Sequence, residues 1–222
     1  MAWKLFVTLF LSSLSACLAA QEDEPLPPYT PAYEPTSVDE RGLWSEADER
    51  ELLYRRSELL IADDALIAFV RRVLCNTVGN DRCEGVRIYI LNIPAANAAM
   101  MPNGAMAVWT GLLLRMRSEA NLASVLGHEF AHFELRHNLQ GFKNRRSAND
   151  SLAWTIILGR AALVDTRDTQ ISLLGSVFRF SRDMEREADV LSLRYLAQSP
   201  YPSRASSEVR QFLMEEADAR AA

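Results

Sequence analysis

The chain has 222 residues, 49% apolar and 24% charged, with 24 Lys and Arg against 29 Asp and Glu and a formal charge of -5. These values leave room for one domain with an ordinary core and exclude a chain disordered throughout. Its basic residues are scattered among Glu and Asp and form no stripe, which excludes nucleic acid as the partner.

Met1 to Lys4 carries one positive charge, and Leu5 to Leu14 is an apolar run too short to cross a bilayer. Leu14-Ser15-Ala16-Cys17 resembles the lipobox of bacterial lipoproteins, which implies cleavage before Cys17 and acylation of that residue. The competing reading is an ordinary secretory peptide cut after Ala19 or Ala20; either one exports the chain. Leu18 stands where inner-membrane retention uses Asp, so the expected location is the periplasm, lipid-anchored to the outer membrane of a Gram-negative bacterium. In that oxidising compartment the remaining cysteines, Cys75 and Cys83, are expected to close a disulfide around Gly79-Asn80-Asp81.

Residues 21–37 are acidic and rich in Pro, the composition of an extended tether. Ser45 with Glu46, Asp48 and Glu49 predicts a helix start, followed by Leu52, Leu53, Leu59, Leu60 and Ile61 at helical spacing. A second helix is predicted over Asp63–Leu74. Val86–Ile93 reads as a strand, and Asn103-Gly104 as a turn before a second strand, Ala105–Thr110; together they predict a small antiparallel sheet. A long amphipathic helix is predicted from Glu119 to about Asn138. Beyond a polar stretch, Gly141–Asp150, lie the apolar blocks Leu152–Val164, expected to be a core helix, and Ile171–Phe180. The second block continues as a helix through Leu196, until Pro200 and Pro202 stop it.

The chemistry concentrates in His128-Glu129-Phe130-Ala131-His132. Residues four apart on a helix share a face, so both imidazoles can reach one zinc ion, and Glu129 can take a proton from metal-bound water and pass it to a leaving amine. The small and apolar neighbours Gly127, Phe130, Ala131 and Phe133 suit a helix beneath a cleft. His137 follows His132 by five positions and, on a continuous helix, points away from both ligands. Glu185 and Asp189 are again four apart on a predicted helix, whereas Glu187 lies about 200° round from Glu185 and reads as solvated or salt-bridged.

Gly127-His-Glu-Phe-Ala-His132 together with Ser181-Arg-x-x-Glu-x-Glu-Ala-Asp189 resembles the M48 zinc metallopeptidases, the Ste24/HtpX/Oma1-like gluzincins, over roughly Val73 to Pro202, and best their exported lipoprotein branch. Asn97 and the stretch Pro102 to Gly111 resemble the strand and turn before that family's active-site helix. The resemblance implies a mainly helical α+β, zincin-like domain with one Zn2+ held by His128, His132 and Glu185. It further implies that Glu129 is the base and that Asp189 orients a ligand imidazole. On this reading residues 1–16 are the signal peptide, 17–40 the acylated tether, 41–203 the metalloprotease domain and 204–222 a helical tail. The expected function is zinc-dependent endopeptidase cleavage of misfolded or unassembled envelope proteins, with polypeptide and membrane as partners. Arg182, Arg194 and Tyr195 are candidates for oxyanion or substrate contacts, and the strand Ala105–Thr110 for an edge that binds substrate. The rival readings are a chaperone-like or adaptor lipoprotein that holds zinc without cleaving, and a protease kept latent by Gly141–Asp150 or by the chain after Ser203.

Overall fold

The computed structural model of the chain describes residues 34–162 and 166–221. The expected signal segment, Cys17 and most of the expected tether lie outside the described residues. In chain order the elements are α1 (Val38–Arg56), α2 (Asp64–Val78), the single turn α3 (Asn80–Cys83), β1 (Arg87–Leu91), β2 (Ala98–Met100), β3 (Ala105–Trp109), the short α4 (Thr110–Leu113), α5 (Glu119–Glu134), α6 (His137–Ala162), α7 (Arg167–Ala197) and α8 (Ala205–Ala221). The domain is mainly helical, with one small sheet.

Helix α1 starts eight residues before the expected Ser45. Its N-cap is Ser37, whose Oγ accepts from the Glu40 N–H at 3.1 Å while the Glu40 carboxylate accepts from the Ser37 N–H at 3.1 Å. This reciprocal Ser-x-x-Glu pair satisfies two otherwise orphaned donors and outranks the acidic cluster downstream. The helix ends at Arg56, and Leu52 and Leu53 face solvent. Its inner face carries Glu40, Ala47 and Glu51, so charge pairing attaches it more than apolar burial does. The Glu51 carboxylate accepts from Arg87 Nε at 2.6 Å and Nη2 at 2.8 Å, from Arg55 Nη2 at 2.8 Å, from the Tyr89 hydroxyl at 2.6 Å and from Asn103 Nδ2 at 2.8 Å.

Helix α2 buries Val70, Val73, Leu74 and Val78, and a disulfide joins its Cys75 to Cys83 of α3. The sheet order is β1-β3-β2. The two expected strands do pair, but in parallel, with Arg87 opposite Ala105 and Leu91 opposite Trp109. The antiparallel pair is β2 with β3, Ala98 opposite Val108 and Met100 opposite Met106. Asn103-Gly104 turns β2 into β3, not β1 into β3: Gly104 has φ 87° and its N–H donates to the Met101 carbonyl at 3.0 Å. The connection between β1 and β3 is long enough to bring the chain back to the same end, as a parallel pair requires. Strand β3 is therefore central, and the edge expected on Ala105–Thr110 belongs to β2.

Met106 and Val108 of β3, Ile90 of β1, Leu126 and Phe130 of α5 and Leu196 of α7 form the centre of the core, all completely buried. Helix α5 ends before the expected Asn138, because Arg136 adopts a left-handed conformation with φ 59° and α6 begins at the next residue. The polar stretch Gly141–Asp150 continues α6 without a break. The apolar block after it is not a core helix: Trp154 is 63% and Ile157 55% exposed. Among the described residues no helix is long and apolar enough to cross a membrane. Helix α8 lies against α5, with Ala205, Val209 and Phe212 buried and Glu216 paired to Arg115 at 2.7 Å.

The guanidinium of Arg87, with Tyr89 and Arg55, holds the Glu51 carboxyl down at about 2 against the opposing effect of burial. A depressed carboxylate contributes stability above its unfolded pKa, and that contribution fades as pH falls toward the folded value. Glu51→Gln is expected to lower stability by about 2 to 3 kcal/mol at pH 7. The gap from wild type should close between pH 4 and pH 2, read from denaturant midpoints across that range.

Candidate active site

Helix α5 is capped by Ser118, whose Oγ accepts from the Asn121 N–H at 3.2 Å. About two and a half turns on, at Gly127, the helix passes close to its neighbours. A Cβ on Gly127 would stand 3.1 Å from Thr77 Cγ2 of α2 and 3.6 Å from Ser192 Oγ of α7. This approach brings the next residue, His128, opposite the glutamate segment of α7.

There the structure unites the three expected ligands. His128 Nε2 and His132 Nε2 are 3.1 Å apart, and Glu185 Oε2 lies 3.5 Å from the first and 3.6 Å from the second. Four-coordinate zinc with ligand distances of about 2.0 to 2.1 Å sets neighbouring donors about 3.3 Å apart. The triangle straddles that value, and two imidazole nitrogens with one carboxylate form a donor set suited to zinc. Glu185 is 59% exposed, so the triangle opens to solvent on its side.

Each imidazole is held from behind. His128 Nδ1 is 3.1 Å from Asp189 Oδ1, and Arg210 Nη2 of α8 donates to the other oxygen of that carboxylate at 2.8 Å. His132 Nδ1 is 3.0 Å from His137 Nδ1, and His137 Nε2 is 3.3 Å from Glu187 Oε2. Contrary to expectation, His137 does not point away: the left-handed Arg136 turns the chain so that the His137 ring returns onto His132. Burial and the neighbouring His128 push His132 down to about 4, and burial also lowers His137, so burial favours the neutral form of both rings.

Glu129 stands beside the triangle and accepts from the Met100 N–H of β2. Burial, aided by the negative charge of Glu185, pushes its carboxyl up to about 7. A carboxyl poised near neutrality can take a proton in one step and return it in the next. Met100 spends its carbonyl as well, accepting from Asn138 Nδ2 at 2.9 Å.

The family model of Peptidase family M48 matches residues 65–215. The chain belongs to this family. It is 32% identical over 135 residues to a protein of Arabidopsis thaliana named mitochondrial metalloendopeptidase OMA1, covering 59% of this chain and 26% of that protein. It is 27% identical over 179 residues to the putative beta-barrel assembly-enhancing protease of Vibrio cholerae, covering 76% of this chain and 37% of that one. It is 30% identical over 137 residues to metalloprotease YcaL of Escherichia coli, covering 59% of this chain and 50% of that one. The chain thus spans from about a quarter to half the length of these relatives.

Two of the candidate oxyanion contacts in this M48 chain lie elsewhere. Tyr195 is completely buried in the core and its hydroxyl donates to Glu134 Oε2 at 2.8 Å; burial and that carboxylate raise its pKa further. Arg194 sits nine residues past Glu185, about 13 Å further along α7. Arg182 is exposed and one turn before Glu185. Replacing His128, His132 or Glu185 with Ala is expected to weaken zinc binding at least about 100-fold. Tyr195→Phe should leave zinc binding unchanged and cost about 1 kcal/mol of stability. Chelator competition and denaturant unfolding read the two effects.

Proposed function

We propose that this chain is a zinc-dependent endopeptidase, and the observation that carries the reading is the triangle of His128, His132 and Glu185 with Glu129 beside it. Zinc held by those three side chains supplies Lewis-acid chemistry, acidifying a water molecule and polarising a carbonyl. Glu129 removes the proton of the attacking water, keeps it while the tetrahedral centre forms, and delivers it to the departing amine. Asp189 fixes the orientation of His128, which keeps its Nε2 lone pair turned toward the triangle. Arg182, the one cationic candidate near Glu185, is the proposed side chain for oxyanion or substrate contact.

The substrate is an extended or locally unfolded polypeptide laid along β2. Backbone groups alternate along an antiparallel strand, and Asn97 and Met101 bond inward to β3, so those of Ala98 and Met100 face outward. Met100 is taken by Glu129 and Asn138, which leaves Ala98 to receive main-chain hydrogen bonds from a guest strand. The Vibrio cholerae relative is named for β-barrel assembly, which supports misfolded or unassembled envelope proteins as the substrates. The lipobox-like Leu14 to Cys17 supports export and a lipid anchor at Cys17 in the outer membrane. A lipoprotein that holds zinc without cleaving is the lesser reading, since a structural zinc site has four protein ligands and no use for a base such as Glu129.

Glu129→Gln is expected to keep zinc and lose casein cleavage by about 100- to 10,000-fold. Equal cleavage by wild type and variant would reject the mechanism. For the anchor, Cys17→Ser should move the protein from the membrane fraction to the soluble one, and unchanged fractionation would reject lipidation.

A further inference from the structure

We propose that His137 and Glu187 form a positioning pair that selects the tautomer and orientation of His132 as a metal ligand. The inference rests on the reading of His128, His132 and Glu185 as the metal site.

His132 Nε2 faces His128 Nε2 and Glu185 Oε2, so a ligand role requires that its proton sit on Nδ1. The only group recorded against that Nδ1 among the described residues is His137 Nδ1 at 3.0 Å, and one of these two nitrogens must donate. If His132 donates, His137 Nδ1 accepts and the His137 proton lies on Nε2, where it meets the Glu187 carboxylate at 3.3 Å. Every contact in the row then joins a donor to an acceptor. If His137 donates instead, its bare Nε2 confronts a carboxylate, acceptor against acceptor, and the proton of His132 points into the triangle. Glu187 thus acts on His132 through His137, disfavouring the tautomer that cannot bind metal.

The geometry is built for this and does not follow from helix periodicity. Five positions along a continuous helix would rotate His137 well away from His132. The left-handed Arg136 breaks the helix between the two, and the rings end 4.9 Å apart at 73°. The His137 side chain is 2% exposed and that of Glu187 61%, so a buried relay carries the influence of a surface carboxylate inward. The two ligand imidazoles are then served by different means: His128 by Asp189 directly, His132 through a second imidazole.

The test uses the purified full chain and zinc itself. Apparent zinc affinity is measured by chelator competition, and the visible spectrum of the Co2+-substituted protein reports ligand geometry. Glu187→Ala is expected to weaken zinc binding about 10- to 100-fold and to shift the Co2+ spectrum. The thermal midpoint of the metal-free chain should stay at its wild-type value, because the side chain removed is exposed. Glu187→Gln, which keeps an acceptor oxygen, should recover part of the affinity. His137→Gln should weaken binding to a similar degree, and Glu187→Ala added to it should change nothing more, since both act along one path. Wild-type affinity and spectrum in Glu187→Ala, or losses that add in the double variant, would overturn the pair while leaving the metal site intact. A wild-type chain that takes up no zinc would overturn the site and this inference together.

Discussion

The site depends on the distance between α5 and α7, because one helix supplies two imidazoles and the other the carboxylate that completes the triangle. Gly127 lies at that interface, with Thr77 of α2 on one side and Ser192 and Tyr195 of α7 on the other. Polar contacts fix the rotation of the helices at the same interface. Ser192 Oγ donates to the Ser124 carbonyl at 3.4 Å. At the far end, Glu134 of α5 accepts from the Tyr195 hydroxyl and from Arg82 Nε at 3.1 Å, with the Arg82 and Glu134 side chains only 8% and 10% exposed. Removing one member of so buried a pair strands the other's charge, typically at about 3 to 5 kcal/mol. A rotation of α5 would break this pair, and a rotation of either α5 or α7 would strain the bond between Tyr195 and Glu134.

Electrostatics separate the carboxylates around the site by what each one faces. Asp189 meets Arg210 and a ring nitrogen of His128. Glu187 meets His137 from the surface. Glu129 is buried close to the negative Glu185, and its carboxyl is accordingly raised toward neutrality. Carboxylates are so assigned the proposed parts of ligand, base or partner according to burial and neighbouring charge. Burial favours the neutral form of His132 and His137, the form in which an imidazole nitrogen has a lone pair to offer.

What was legible in the sequence was local and periodic. The helical period placed His128, Glu129 and His132 together, and the matching spacing of Glu185 and Asp189, with the family resemblance, named the opposite wall. His137 was lost because nothing in Leu135-Arg136-His137 marks a left-handed residue; Arg adopts that conformation rarely and without a compositional signal. The parallel pairing of β1 and β3 was lost because β2 is three residues long, two of them Ala, and carries no strand propensity to claim the Asn103-Gly104 turn. The leucines of α1 suggested an apolar inner face, yet the helix is fastened by Glu51 to Arg87, Tyr89 and Asn103, contacts between positions far apart in the chain that no local window contains.

Strand β2 matters more than its length suggests. It is one of the two edges of the sheet, and Met100 spends both outward-facing main-chain groups on the site, its N–H on Glu129 and its carbonyl on Asn138. Asn138 directly follows His137, so the turn at Arg136 that returns one ring to His132 also brings an amide to the sheet edge. The proposed base, the proposed relay behind His132 and the proposed substrate strand thus all meet at one residue of β2, Met100. A polypeptide pairing at Ala98 would lie two residues from the peptide that orients Glu129, so main-chain pairing alone could set the scissile bond against the base. Such positioning asks little of substrate side chains, in keeping with the proposal of unfolded polypeptides as substrates.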